Sequence, residues 1–217
     1  MEFETLTLVH RTHEYDETYT YCFRPERSFA FTAGQYAHIR VPNVPEGEKA
    51  VRELSFASAP QDELLQFGID ARSGSGYQQA LKALEPGDTV QLFKIRGHMT
   101  WPPPVADAVM IAGGVGVTPF RSMLRDAAQQ QRVTSTTLIH VARSTHLYGD
   151  ELAQLASAYY AIARARLQEV LDAATKSHPD AHYYLAGSST FVVEVADMLA
   201  KRKIDTIERD VFTGLEE

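Results

Sequence analysis

The stretch Gly113-Gly114-Val115-Gly116-Val117-Thr118-Pro119 decides the fold of this chain. It follows a continuous apolar run over residues 108–112, which is typical of a strand buried on both faces of a parallel sheet. The residues after it repeat at helical spacing: Phe120, Met123, Leu124 and Ala127. A strand, a glycine-rich turn and a helix in this order predict an α/β unit.

The glycine-rich turn has a functional and a purely structural interpretation. A helix that begins there presents free N–H groups and the positive end of its dipole to phosphate, as in a pyrophosphate-binding loop for a dinucleotide. Pro119 loses no hydrogen bond at a helix start. The turn is not the G-x-G-x-x-G fingerprint, and no lysine follows as in a P-loop. The alternative is a turn whose glycines only let the strand pack against the helix.

Strands and helices keep alternating to the end of the chain, which predicts a parallel sheet with helices on its faces. Further strands are predicted at residues 137–141 and 183–186, and a helical face follows the second one. Residues 150–176 contain two helical patterns. Between them, residues 159–163 fit either a short strand or the continuation of one long helix. We predict the strand, because the sheet needs a member there.

The first half of the chain has a different pattern. Large apolar residues alternate with small or polar ones over residues 19–24, 37–41 and 65–70. Several short strands at this spacing, separated by turns, predict an antiparallel sandwich or barrel with one short helix after Gly76. Three prolines at 102–104 cannot continue a helix or a central strand, and they mark the boundary between the two halves.

Composition excludes several classes of function. The chain has 217 residues, a net charge of −7 and no basic tract, which argues against nucleic-acid binding. Its single cysteine, Cys22, excludes a disulfide framework or a cysteine-ligated iron–sulfur cluster built from this chain alone. The eight histidines show no ligand spacing, and we expect most of them at the surface. No apolar run suits a membrane span and residues 1–5 lack a secretion signal, so we expect a cytoplasmic protein.

Two more motifs contain candidate binding residues. Arg52-Glu53-Leu54-Ser55 lies at the entry to a predicted strand, where an arginine fork can hold phosphate and a serine hydroxyl can bond to a ring nitrogen. Arg72-Ser73-Gly74-Ser75-Gly76-Tyr77 opens the short helix and forms a second candidate phosphate cradle. The alternatives are a surface arginine and an ordinary capped helix start.

Together these motifs resemble the ferredoxin–NADP reductase-like family of FAD/NAD(P)-binding oxidoreductases. The resemblance covers nearly the whole chain, and the motifs follow the family's order. The matching segments are 32–36, 52–55, 113–119, 184–189 and 210–214. The resemblance implies an antiparallel six-stranded β-barrel that binds FAD in residues 1–102. It implies a Rossmann-like parallel-sheet domain that binds NAD(P)H in residues 103–217.

The resemblance also implies roles for single residues. Ser55 would bond to the flavin nitrogen that accepts hydride, and Thr118 would lie close to the flavin; these two are the implied catalytic residues. The other implied flavin contacts are Tyr36, Arg52, Glu53, Leu54, Ile69, Asp70, Ala71, Ser75, Gly76, Tyr77 and Phe212. The implied coenzyme contacts are Gly113, Gly114, Thr118, Pro119, Arg143, Ser144, Gly187 and Ser188.

The implied activity is hydride transfer from NADH or NADPH to FAD, followed by electron transfer to a separate ferredoxin- or flavodoxin-type carrier protein. Arg143 follows the second α/β strand, where a cation can meet a 2′-phosphate, and it favours NADPH.

Departures from the family's pattern leave two alternatives open. Leu54 stands where the family usually has a tyrosine against the flavin, which suits a flavin reductase that releases flavin as a substrate. Three other departures favour a non-catalytic binding module. Only Gly97 remains of the family's Gly-Pro-x-Gly turn, Leu215 replaces a terminal aromatic residue, and the third α/β strand is short.

Overall fold

The computed structural model describes residues 3–28, 30–101, 107–132 and 135–212. Its first half contains six strands and one helix: β1 (Glu4–Tyr15), β2 (Thr18–Pro25), β3 (Tyr36–Arg40), β4 (Val51–Ser55), β5 (Leu65–Asp70), α1 (Gly76–Lys82) and β6 (Thr89–Arg96). The three alternating segments predicted as strands are β2, β3 and β5, and the predicted short helix is α1.

The six strands form one antiparallel sheet in the order β4-β3-β6-β1-β2-β5. The sheet curls until its two edges approach, since the amide of Ala57, just after β4, donates to the Gln66 carbonyl in β5 at 2.8 Å. Alternate residues such as Leu8, Phe23 and Phe67 point inward and form one apolar core with helix α1. The predicted six-stranded antiparallel barrel is confirmed.

The second half contains five strands and four helices: β7 (Asp107–Gly113), α2 (Thr118–Gln129), β8 (Ser135–Val141), α3 (Gly149–Leu155), β9 (Ala158–Ile162), α4 (Leu167–Ser177), β10 (His182–Ser188), α5 (Ser189–Ala200) and β11 (Ile207–Phe212). A single 3-10 turn, Gly114–Val117, joins β7 to α2. All strands are parallel, in the order β11-β10-β7-β8-β9. The strand predicted at 159–163 is β9, at the edge of the sheet.

Strand β11 is absent from the sequence-based expectations. Its sequence, Ile-Glu-Arg-Asp-Val-Phe, has neither an apolar run nor an alternating pattern, because it is a half-exposed edge strand. It joins the sheet by pairing with β10 from Tyr183↔Ile207 to Ser188↔Phe212. This pairing brings Phe212, the last residue of β11, to the same sheet edge as the glycine-rich turn.

The order of the parallel strands creates a crevice. From β7 the chain moves outward to β8 and β9, then returns to the other side of β7 to form β10 and β11. The connections after β7 and β10 therefore run in opposite directions at the carboxyl edge of the sheet. Open α/β sheets bind ligands at such a switch point.

Helix α2 connects the second half to the barrel through the side chain of Arg121, which is 6% exposed. Its guanidinium donates to the Ala57 carbonyl at 3.1 Å and to Gln66 Oε1 at 2.7 Å, both in the barrel half. It also pairs with Glu151 of α3 at 2.7 Å and lies 4.1 Å from the centre of the Tyr148 ring. One buried cation thus binds elements of both halves.

The proline segment 102–104, where we placed the domain boundary, lies outside the described residues. The ranges 1–102 and 103–217 therefore stay predictions. Just before it, the Trp101 indole N–H donates to the Met123 carbonyl of α2 at 3.1 Å. Met99 packs into the core of the second half. None of the helices in the described parts of the chain is long and apolar enough to cross a membrane.

We expect Arg121→Ala to lower the free energy of unfolding by about 2 kcal/mol, because it leaves buried acceptors without their charged donor. Arg24→Ala is the control, since Arg24 pairs with Glu63 where both side chains are more than half exposed, and we expect a loss of no more than about 0.5 kcal/mol. Urea unfolding of both variants measures the difference. Equal losses would show that the Arg121 contacts do not stabilise the arrangement of the two halves.

Candidate functional site

A cleft with an empty volume of about 530 Å³, partly open to solvent, lies between the barrel and the carboxyl edge of the parallel sheet. Residues predicted as flavin contacts line much of it: Arg52, Glu53, Leu54, Ser55, Ile69, Asp70, Tyr77 and Phe212. The structure adds three residues that sequence reasoning missed: Gly68, Gln78 and Val115. Segments that are far apart in the chain therefore meet around one cleft.

Arg52 is the positively charged residue in the lining of this cleft. Its guanidinium carbon lies 5.8 Å from the centre of the Tyr77 ring, in a cation–π contact. Tyr77 is 2% exposed and its hydroxyl donates to the Ile39 carbonyl at 3.4 Å, so the ring is a rigid platform. Burial raises the pKa of Tyr77, which keeps the phenol neutral. The arrangement places a planar donor group where an anion can enter the cleft.

Ser55 and Asp210 join the two halves beside the cleft. The Ser55 hydroxyl donates to Asp210 Oδ2 at 2.9 Å, although the residues are 155 positions apart. Burial raises the pKa of Asp210 to about 6, the charge of Glu53 acts in the same direction, and the bond from Ser55 opposes them. A carboxyl group with such a pKa can hold or release a proton near neutral pH. The sequence placed Asp210 in a matching segment but assigned it no role.

The pKa of Asp210 predicts a pH dependence of stability. An ordinary aspartate titrates near 3.8, so between pH 4 and pH 6 the folded chain keeps a proton that the unfolded chain has lost. The contribution of Asp210 to stability therefore falls as pH rises through this window, and it stays constant above the window. We expect the free energy of unfolding of Asp210→Asn to equal that of the natural chain at pH 4 and to exceed it by about 2 kcal/mol at pH 7.

Urea unfolding between pH 4 and pH 8 measures this difference. Asp205→Asn is the control, because Asp205 is exposed and lies in the segment that leads into β11. We expect it to leave the pH dependence unchanged. Parallel stability curves for Asp210→Asn and the natural chain would contradict the assignment.

The start of helix α1 holds an anion of the protein itself. The Gly76 amide donates to Glu48 Oε2 at 2.6 Å, and Ser75 caps the helix by accepting from the Gln78 amide at 3.4 Å. A Cβ on Gly76 would lie only 2.6 Å from the Glu48 carboxyl carbon, so a side chain there would push this exposed carboxylate aside. The predicted phosphate cradle at Ser75 and Gly76 thus binds a carboxylate of the protein. A phosphate is also an anion and would accept the same hydrogen bond from the backbone N–H. The sequence did not point to Glu48.

Four predicted flavin contacts lie apart from the cleft lining: Ser75 and Gly76 at the start of α1, and also Ala71 and Tyr36. The Ala71 amide is buried and donates to the Glu17 carbonyl of the barrel at 2.8 Å. Tyr36 pairs with Ser55 across β3 and β4, and burial raises its pKa. Their roles toward a flavin stay predictions, as do those of the residues that line the cleft.

The glycines of the turn differ in their surroundings: two of them pack closely, and the binding of a pyrophosphate by the turn stays a prediction. A Cβ on Gly113 would lie 2.8 Å from the Phe191 ring, and one on Gly116 would lie 2.5 Å from the Ala186 carbonyl oxygen. These two glycines allow close packing. Gly114 instead has a φ of +54° and no other part of the molecule within 4 Å of where its Cβ would be. Its backbone is open to a ligand.

Thr118 and Pro119 form the first turn of helix α2. The Thr118 hydroxyl donates to the Val115 carbonyl at 3.0 Å, and the residue is 1% exposed. Its methyl group packs against β5, 2.8 Å from where a Cβ on Gly68 would be. Thr118 therefore holds the turn against the barrel, while Val115 lines the cleft.

The remaining predicted coenzyme residues lie at the carboxyl edge of the parallel sheet. Arg143 and Ser144 follow β8 and are exposed. Gly187 and Ser188 end β10, and Ser188 caps α5 by accepting from the Phe191 amide at 3.4 Å. Leu215 and the other residues after Phe212 lie outside the described part of the chain.

Comparisons with known proteins match this architecture. Residues 110–186 match the family model of the oxidoreductase NAD-binding domain. The chain is 35% identical to ferredoxin--NADP reductase B of Sorangium cellulosum (strain So ce56) over 137 residues, 60% of this chain and 54% of that protein. It is 29% identical to the 2-halobenzoate 1,2-dioxygenase electron transfer component of Burkholderia cepacia over 210 residues, 87% of this chain and 60% of that one. The chain spans less than two thirds of either relative.

Solved structures share the fold. A ferredoxin NADP⁺ reductase from Neisseria gonorrhoeae with bound FAD and NADP superimposes with a TM-score of 0.79 and 19% identity, over 97% of this chain and 99% of that one. Phthalate dioxygenase reductase superimposes with a TM-score of 0.81 and 20% identity, over 99% of this chain and 70% of that one. At these identities the likeness establishes the arrangement of a barrel beside a parallel sheet.

Proposed function

We propose that this chain, a ferredoxin–NADP reductase-like protein by its two-domain fold and its oxidoreductase NAD-binding domain, moves electrons from NADH or NADPH through FAD to a separate carrier protein. The family resemblance predicted from the sequence is confirmed by these matches. The observation that carries the proposal is the cleft in which Arg52 and Ser55 of the barrel face Val115 and Phe212 of the parallel-sheet half. FAD, when bound, supplies a ring that accepts hydride and releases electrons singly.

The residues around the cleft fit FAD. Arg52 offers a planar cation, and the Gly76 amide marks a second anion-binding position, which a pyrophosphate would take from the Glu48 carboxylate that occupies it. Leu54 offers apolar surface to a ring. The single O–H of Ser55 donates to Asp210 here, and it can turn to a ring nitrogen only by leaving that carboxyl group. We assign FAD binding to residues 1–102 on these grounds.

The carboxyl edge of the parallel sheet supports binding of the nicotinamide coenzyme by residues 103–217. The open backbone at Gly114 and the ends of β7 and β10 lie at its switch point. Helix α2 is joined to the barrel through Arg121, and these contacts keep the two binding surfaces at a constant distance. Asp210, whose pKa burial raises to about 6, accepts a hydrogen bond from the Ser55 hydroxyl at the border of the two halves.

Anaerobic titration of the flavin-loaded protein with NADPH and with NADH tests the proposal. We expect bleaching of the flavin absorbance by at least one coenzyme, and protein that stays colourless under every loading condition would contradict FAD binding. Yellow protein that neither coenzyme bleaches would support the non-catalytic module. The electron carrier and the cytoplasmic location stay predictions.

The titration also tests the coenzyme preference. We expect Arg143→Ala to weaken NADPH binding about tenfold and NADH binding by less than twofold, because only NADPH carries a 2′-phosphate that an arginine can bind. Dissociation constants from the two titrations, compared with those of the natural chain, measure the effect. Equal losses for both coenzymes would contradict a role of Arg143 in recognising NADPH.

A flavin reductase is the second candidate, because Glu48 occupies the Gly76 amide that a flavin pyrophosphate would need. An internal competitor weakens flavin binding and makes the flavin easier to exchange. We expect Glu48→Gln to raise flavin affinity about fivefold, since it removes the competing charge. Glu46→Gln, an exposed change in the same loop, is the control and should leave affinity unchanged. Equilibrium dialysis with FAD measures both, and unchanged affinity of Glu48→Gln would remove the support for this candidate.

A further inference from the structure

His140, near the end of β8, is a fully buried histidine beside the glycine-rich turn. Its Nε2 lies 3.0 Å from the Gly114 carbonyl oxygen and its Nδ1 lies 3.2 Å from the Tyr159 hydroxyl. A carbonyl only accepts hydrogen bonds, so Nε2 carries the proton and donates. Burial lowers the pKa of His140 to about 4, so the ring is neutral and its Nδ1 accepts from Tyr159. One neutral tautomer therefore satisfies both contacts.

The bond from His140 sets the orientation of the peptide between Gly114 and Val115. In a trans peptide the carbonyl and the N–H point in opposite directions. Because the Gly114 carbonyl points at His140, the Val115 N–H points away from that side of the sheet. Val115 lines the cleft, and Gly114 has open space next to it. As Val115 lies in the first turn of its 3-10 helix, its N–H has no acceptor within that helix.

We propose that His140 is a positioning residue for the nicotinamide coenzyme: by holding the Gly114 carbonyl, it aims the Val115 N–H at the coenzyme's pyrophosphate. This inference rests on the proposed function, because it concerns the coenzyme that we place at the turn. His140 has no exposed surface, so it acts through the Gly114 peptide and not by contact with the coenzyme. Tyr159 of β9 acts one step further back, because its hydroxyl can donate to Nδ1 and so supports the tautomer that the Gly114 carbonyl requires.

Three variants separate positioning from simple support of the fold. His140→Phe keeps an aromatic ring but removes both hydrogen bonds. His140→Gln keeps an N–H donor that reaches about as far as Nε2, together with an acceptor for Tyr159. Tyr159→Phe leaves the imidazole in place without its orienting partner. His178→Gln is the matched control, because His178, just after α4, contacts Asp107 at 2.6 Å at the start of β7, which is the opposite edge of the sheet from the turn.

Isothermal titration of the flavin-loaded variants with NADP⁺ and NAD⁺ is the main measurement, with urea unfolding in parallel. We expect His140→Phe to raise both dissociation constants about tenfold and to leave flavin content and kcat at saturating coenzyme unchanged. His140→Gln should restore binding to within about threefold of the natural chain. The dissociation constants of Tyr159→Phe should lie between those of the two His140 variants. His178→Gln should bind both coenzymes as the natural chain does.

A second readout needs no coenzyme. Nitrogen-15 NMR of the His140 ring should show a protonated Nε2 and an unprotonated Nδ1 in the natural chain, and a mixture of tautomers in Tyr159→Phe. Natural-chain affinity in His140→Phe, or equal defects in His140→Gln and His140→Phe, would overturn the inference. If His140→Phe does not fold, His140→Gln and Tyr159→Phe decide it. Failure of the proposed function is distinct, because the natural chain itself would then bind neither coenzyme.

Discussion

Arg52→Ala is expected to weaken FAD binding about a hundredfold. The guanidinium is the cation that lines the cleft beside Tyr77, and it can make two parallel, charge-assisted hydrogen bonds to a phosphate. Each such bond is worth about 1.5 kcal/mol at a partly open site, so the loss of both is about 3 kcal/mol. Fluorescence titration of the flavin-free protein with FAD measures the change directly.

Two variants show whether geometry or charge accounts for the effect. Arg52→Lys keeps the charge but not the planar fork, so we expect about a tenfold loss. Arg72→Ala removes a nearby arginine whose side chain pairs with Asp70, with a shortest distance of 2.6 Å, and should reduce affinity by less than threefold. A similar loss in the Arg72 and Arg52 variants would show that the net charge of the region, and not Arg52, binds the flavin.

Gly116→Ala is expected to cost about 4 kcal/mol of folding free energy. The new Cβ would lie 2.5 Å from the Ala186 carbonyl oxygen and 2.7 Å from the Gly187 Cα, and both are backbone atoms that cannot rotate away. The turn and β10 would have to separate, which disrupts the packing at the switch point. Since domains are stable by about 5–15 kcal/mol, such a cost removes much of the stability.

Gly114→Ala is the matched control in the same turn. Its Cβ would meet open space, so the expected cost is about 1 kcal/mol from the positive φ alone. Urea unfolding followed by circular dichroism compares the two variants. We expect Gly114→Ala to fold and Gly116→Ala to unfold at much lower urea. Equal midpoints would show that the turn and β10 can move apart at little cost.

Local patterns were enough to predict most elements of the fold. The apolar run of β7, the alternation in β2, β3 and β5 and the helical spacing of α2 each reflect burial of that element's own side chains. The short strand predicted at 159–163, between two helical patterns, is present as β9. Strand β11 escaped prediction, because an edge strand with charged residues carries no such pattern.

The cleft was predictable in part, from motifs that lie close together in the sequence. The segment 52–55 and the residues Ile69, Asp70 and Tyr77 line it as the resemblance implied. Gly68 and Val115 did not stand out, since their importance comes from close contact between the barrel and the turn. No local pattern records a contact between segments that are distant in the chain.

The amino-acid sequence by itself determined a barrel followed by an α/β half, the place of the glycine-rich turn and the candidate binding motifs. Only the tertiary structure decided which groups these motifs meet: Asp210 at Ser55, Glu48 at Gly76 and His140 at Gly114. The physical reason is that side-chain periodicity depends on which face of an element is buried, and this can be read along the chain. A hydrogen bond or a shifted pKa depends on neighbours in space, which only the packing of the strands and helices brings together.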